Sequence, residues 1–248
     1  MRYAFLILAL LAATNAWSQT QYTNIDDSTL TDNGTVGWGS CVTCAGGGSN
    51  ATIASSPFQT WPSVDGASRD FYINGAGYTN GLWWYKLGPN NAASTFSWDF
   101  WLNVSSGTQY AQTVEFDIFQ FISGSEFMFG TQCNYASGTW DVWNAALNVW
   151  VHSAVACTRF KPNTWYRLTF NVHRTPDNYE HYDSLTIAQY NNRGKLVSKS
   201  TYQFNQVLPA GQTPPGWGDN LGVQFQMDIG STGTTMEEWV DEVNLTAQ

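Results

Sequence analysis

Val114 to Phe121 reads VEFDIFQF, with Glu115 and Asp117 two residues apart among aromatic and β-branched neighbours. On a strand, side chains two apart project to one face, so the carboxyls stand together while Phe116 and Ile118 occupy the reverse. Two adjacent acids can serve as acid, base or nucleophile, or hold a hydrogen-bonding ligand. They can equally be structural, accepting hydrogen bonds from Arg167 or Gln226 across a sheet. A bulge near Phe119 is expected to bring Gln120 onto the acid face.

The elements that position these residues read as strands throughout. Short alternating runs separated by Gly, Asn, Pro, Ser and Asp recur, and no helical period stands out. In TFSWDFWLNV, Phe96, Trp98, Phe100 and Leu102 oppose Ser97, Asp99, Trp101 and Asn103. In WYRLTFNVHR, Tyr166, Leu168, Phe170 and Val172 oppose Arg167, Thr169, Asn171 and His173, and in LGVQFQMD, Val223, Phe225 and Met227 oppose Gln224, Gln226 and Asp228. One packed face and one wet face per strand predict an all-β, two-sheet antiparallel β-sandwich. Further strands are expected at 71–73, 81–87, 125–132, 149–156, 184–190, 195–204 and 238–245, with LPAGQTPPGWGDN as a surface loop.

The wet faces collect Asp99, Trp101, Glu115, Asp117, Arg167, Asn171, His173, Gln224, Gln226 and Asp228, and with the bulge Gln120 joins them. Rings and paired polar groups are what a sugar requires, because its C–H faces stack on aromatics and its hydroxyls want donors and acceptors. Trp83 and Trp84 are adjacent, so one points away from the core. Trp140, Trp143 and Trp150 lie in GTWDVWNAALNVWVHS, expected as a hairpin lip over a groove.

The chain has 248 residues, 12% charged and 16% aromatic, with 13 tryptophans and a net charge of −9. That charge argues against nucleic acid or an anionic membrane surface as partner, since both need a basic footprint. MRYAFLILALLAATNAWSQ, with Arg2 before a short apolar run and small residues at its end, reads as a signal peptide over residues 1–18. A secreted protein of residues 19–248, forming one domain with no inserted membrane segment, is the expectation. Four cysteines in an exported chain predict two disulfides, and spacing favours Cys41 with Cys44 and Cys133 with Cys157.

The acid strand also carries a resemblance. Family 16 glycoside hydrolases, the laminarinase and lichenase group on a concanavalin A-like jelly roll, carry Glu-x-Asp-x-Glu or a bulged Glu-x-Asp-x-x-Glu. Glu115-Phe-Asp117-Ile-Phe-Gln120 is similar to the bulged form, with Gln120 in place of its third acid. PNTWYRLTFNV and EWVDEVNLT resemble other strands of the same superfamily, which includes laminin G-like domains. The resemblance implies Glu115 as nucleophile, Asp117 as its tuning neighbour and Gln120 as a lost proton donor. Losing general acid catalysis costs on the order of 100- to 10,000-fold. A hydrolase or polysaccharide lyase therefore needs an acid elsewhere, with Glu126, Asp228 and His173 as candidates. The Gln-x-His and Arg-rich strand motifs of alginate lyases on this fold are not found. The resemblance also implies that Asp241 holds a structural calcium, to which Asp65 and Asp27 could contribute; no other cofactor is required.

Three readings follow: a secreted lectin-like protein recognising a poly- or oligosaccharide, a glycoside hydrolase or lyase with a relocated acid/base, and an extracellular structural or adhesion protein. Oligomeric state and ligand identity are not written in these motifs.

Overall fold

The computed structural model describes residues 19–42, 44 and 50–248; the expected signal peptide lies outside them. Sixteen strands follow one another: β1 (Thr20–Tyr22), β2 (Val36–Cys41), β3 (Ala51–Gln59), β4 (Ser68–Gly75), β5 (Asn80–Gly88), β6 (Thr95–Val104), β7 (Ala111–Ile122) and β8 (Ser125–Asn134). Then come β9 (Thr139–Asn144), β10 (Val149–Ala156), β11 (Tyr166–Arg174), β12 (Tyr179–Tyr190), β13 (Leu196–Pro209), β14 (Gly211–Gln212), β15 (Asn220–Ile229) and β16 (Thr234–Ala247).

They form two sheets of eight. One runs β10-β9-β8-β7-β15-β5-β2 with β14 on β8; the other runs β13-β12-β11-β6-β16-β4-β3 with β1 on β16. Neighbouring strands pair antiparallel, so the expected β-sandwich of jelly-roll type is the fold. We call the first the acid sheet, because β7 lies at its centre, and the second the back sheet. Among the described residues no helix is long and apolar enough to cross a membrane.

The alternation in the sequence fixes which side of each strand is packed. Phe96, Trp98, Phe100 and Leu102 of β6, Leu168 and Phe170 of β11, and Val223, Phe225 and Met227 of β15 all turn inward and are buried. Phe225 sits at the centre of the rings, 5.2 Å from Phe71, 5.1 Å from Trp98 and 5.2 Å from Phe100 between centroids. Aromatic pairs at such offset and edge-on geometries add to the area they bury. Both expected disulfides are formed, Cys41–Cys44 and Cys133–Cys157.

Three expectations about side-chain direction change. First, β7 has no bulge at Phe119: it pairs with β8 without interruption from Thr113 opposite Asn134 to Ile122 opposite Ser125. Gln120 therefore turns inward and is fully buried. Its amide donates to the carbonyls of Asn90 and Ala93 at 2.7 and 2.9 Å and accepts from Arg174 Nε at 2.6 Å. It is a structural tie between a loop and β11, because burial of an amide demands that its hydrogen bonds be made.

Second, Trp140 is buried between the sheets and belongs to the core. Third, Asp99, Trp101, Arg167, Asn171 and His173 lie on the outer face of the back sheet, across the whole sandwich from Glu115. Arg167 is occupied by Asp99, Nε to Oδ1 at 2.8 Å and Nη2 to Oδ1 at 2.5 Å, and Thr169 Oγ donates to the other oxygen. Trp101 donates to Glu242, Asn171 to Ser184, and His173 pairs with Asp183 at 2.8 Å. Thus Arg167 does not reach the acids of β7, and His173 is no candidate proton donor for them.

Candidate functional site

The outer face of the acid sheet is built in rows, because antiparallel register places directly opposed residues on one side. One row runs Leu82, Gln226, Glu115, Gln132, Asp141 and His152 from β5 to β10. The next runs Trp84, Gln224, Asp117 and Gly130. Beyond it come Gly222, Phe119 and Met128, then Phe121 beside Glu126. Of the residues expected to share a wet face, Glu115, Asp117, Gln224, Gln226 and Asp228 do so, with Glu126 added. The place beside Asp117 where an unbulged third acid would project is filled by Phe119.

A cavity of about 540 Å³ lies over these rows, lined among others by Glu115, Asp117, Glu126, Gln224, Trp143 and Trp217. That volume is within the range of small-ligand sites. One wall is the hairpin of β9 and β10, where Trp143 and Trp150 meet edge to face at 5.1 Å. The hairpin lip is therefore present, carried by these two tryptophans without Trp140.

The other wall is Trp217, which comes from the stretch expected as a surface loop and stands edge-on to Phe119 and Phe121 at 5.8 and 5.1 Å. Trp84, the outward member of its adjacent pair, reaches Trp217 at 5.9 Å. Two glycines shape the floor. A Cβ on Gly130 would come within 2.8 Å of Trp143 Cβ and 3.3 Å of Asp117 Oδ1, and one on Gly222 would strike the Phe119 ring. Small residues here let the rings lie down against the sheet.

The carboxyls are crowded. Glu115 Oε1 accepts from Gln226 Nε2 at 2.8 Å and lies 3.3 Å from Thr113 Oγ. Burial, with the charges of Asp228 and Asp117 adding to it, pushes its carboxyl well above the ordinary range. Asp117 accepts from the Thr131 amide at 3.1 Å and from Gln224 Nε2 at 2.5 Å. Burial still raises it to about 7, against the pull of those two hydrogen bonds. Asp228 is raised by burial too. Glu126, half-buried at the cavity edge, is raised to about 7 by burial alone.

At the sheet edge Asp141 gathers Gln132, Asn134, Thr139 and His152, the last at 2.6 Å. This network extends the polar row outward and was not anticipated, since TWDVWN lacks the clean alternation that marks a half-buried strand.

Asp241 is remote from this cavity. Its Oδ2 accepts from Ser63 Oγ at 2.7 Å and the Val64 amide at 2.5 Å, while its Oδ1 is buried with no hydrogen-bond partner. Burial raises its carboxyl, and the charge of Asp65 adds to the shift. An orphaned carboxylate oxygen beside a second acid fits a calcium ion that completes its shell with carbonyls. Among the described residues no three or more His, Cys, Asp and Glu side chains converge to hold a metal by themselves.

No protein-family model matches the chain, and no curated protein matches it by sequence. Solved structures do match in fold. The alginate lyase of family PL-14 from Aplysia kurodai superposes with a TM-score of 0.52 at 10% identity, over 78% of this chain and 86% of that one. Arcelin-5, a lectin-like defence protein from Phaseolus vulgaris, gives 0.49 at 11% identity over 93% and 98%. The seed lectin of Lotus tetragonolobus gives 0.44 at 11% over 92% and 99%. At such identities the likeness is one of fold alone.

Proposed function

We propose that this protein is an exported carbohydrate-binding protein whose acid sheet holds a sugar chain. The observation that carries the reading is the cavity floored by Asp117, Gln224 and Gln226 between the Trp143–Trp150 wall and the Trp217 wall. Acceptors and donors for hydroxyls lie between rings for C–H faces, which is the pairing that sugar recognition requires. Two disulfides fit an oxidising compartment. Tryptophan fluorescence titrated with a broad panel of oligosaccharides tests it: a saturable shift that Trp217→Ala weakens is expected, and a flat response to every glycan would sink the reading.

A second reading has one specific support. Glu126 lines the same cavity and its carboxyl, raised to about 7, keeps a proton near neutral pH as a general acid must. Hydrolysis or elimination by Glu126, with Asp117 as a second carboxyl raised to about 7, predicts new chain ends from a polysaccharide, lost in Glu126→Gln. Equal inactivity of both proteins on all polysaccharides tried removes this reading and leaves the first.

A further inference from the structure

The charge inside the cavity is one-sided. Glu115, Asp117 and Glu126 line it and Asp228 shares the Gln226 amide with Glu115, whereas no Lys, Arg or His lines it among the described residues. The cation at its border is already matched: Lys86 lies 3.0 Å from Asp32 and 4.0 Å from the centre of the Trp217 ring. The acids are not equivalent as ligand partners. Asp117 spends both oxygens on Thr131 and Gln224, and Glu115 and Asp228 are knitted together through Thr113 and Gln226. Glu126 has no side-chain partner among the described residues, and it faces the cavity beside Phe121.

We infer, resting on the carbohydrate-binding reading, that the cavity selects an amine-bearing sugar chain, with a glucosamine ammonium paired to Glu126 and its ring held between the tryptophan walls. A cation placed there gains a charge-assisted hydrogen bond to Glu126 and offsets the repulsion between Glu126 and its neighbour Glu180. A uronate in the same place would set a further negative charge beside Glu126 and Glu180. Because an ammonium favours the ionised form of Glu126, a sugar amine that arrives fully protonated, as it does in mildly acidic solution, expels a proton from that carboxyl to solvent on binding.

The test titrates the intact protein with glucosamine oligomers, their N-acetylated counterparts, neutral β-glucan oligomers and oligo-uronates. Calorimetry in two buffers of different ionisation enthalpy, in mildly acidic solution where the sugar amine is fully charged, counts protons. The expected result is roughly tenfold or tighter binding of the amine form over the acetylated form, weakening with salt and accompanied by proton release. Glu126→Gln, checked to melt as wild type does, should shrink that preference several-fold. Equal binding of amine and neutral oligomers, tighter binding of uronates, or an undiminished preference in Glu126→Gln would overturn the amine assignment while the broader reading stands. Binding of none of the oligomers overturns both.

Discussion

Glu115 and Asp228 share one hydroxyl: Thr113 Oγ lies 2.7 Å from Asp228 Oδ2 and 3.3 Å from Glu115 Oε1. Gln226 Nε2 bridges the same two carboxyls at 2.8 and 3.0 Å. Two buried carboxyls this close do not both ionise readily, so the pair titrates as a unit and retains a proton. Asp228→Asn keeps the shape and removes one charge. The Glu115 carboxyl should then ionise at lower pH than in wild type, read by carbon NMR of the side-chain carboxyl. An unchanged titration would mean that burial, the largest cause, is the whole cause.

Gly130 is the floor tile that lets the Trp143 wall stand where it does. A methyl group there meets Trp143 Cβ at 2.8 Å, closer than carbon atoms tolerate, so the tryptophan must move or the strand must bow. Gly130→Ala should weaken glycan binding by roughly tenfold or more, as loss of one good ring contact does. Its far-ultraviolet spectrum should remain that of a sandwich. Full affinity in the variant would show that Trp143 does not shape the ligand site.

The side of each strand was legible where alternation is clean. β6, β11 and β15 turn their alternating apolar residues inward as period two demands. The same rule applied without a bulge turns Gln120 inward, whereas the bulged motif that this strand resembles would turn it outward. Strands β2 (VGWGSC) and β3 (ATIASSPFQ) went unread because glycines, serines and Pro57 hide an edge strand's signal. Which wet faces share a surface was beyond local pattern altogether. Asp99 and Asp117 look alike in sequence and lie on opposite sides of the molecule, since sheet membership is set by long-range pairing. Trp217 was unreadable for a related reason: nothing near PPGWG says which ring it will cover.

Asp241 offers a test independent of the cavity. With Oδ2 engaged and Oδ1 buried and unpaired, a bound calcium ion would supply the missing partner. A ligand that binds only the folded state stabilises it by mass action. Calcium at a hundredfold excess over its Kd should therefore raise the melting temperature by roughly 5–10 °C for a chain of this size. Asp241→Asn should erase the increment. No response to calcium or to a chelator would assign the unpaired oxygen to water instead.

Glu238 sets the pH dependence of stability. It is buried in the core with no hydrogen-bond partner at either carboxyl oxygen, and burial lifts it from the ordinary 4.5 to about 8. The folded state therefore holds this proton more tightly than the unfolded chain does. Its stabilising contribution is fully present below the unfolded value and is lost as pH rises through about 8. Asp26, at about 7, acts in the same sense, again chiefly through burial. The protein should accordingly be most resistant to urea in mildly acidic solution and weaken toward alkaline pH. Glu238→Gln keeps the size of the neutral acid but cannot ionise. Near pH 5 it should match wild type closely, and near pH 9 it should exceed wild type by roughly 2–4 kcal/mol. Parallel pH profiles of the two proteins would place the proton-linked loss of stability elsewhere, with the carboxyls of the acid sheet next to be substituted.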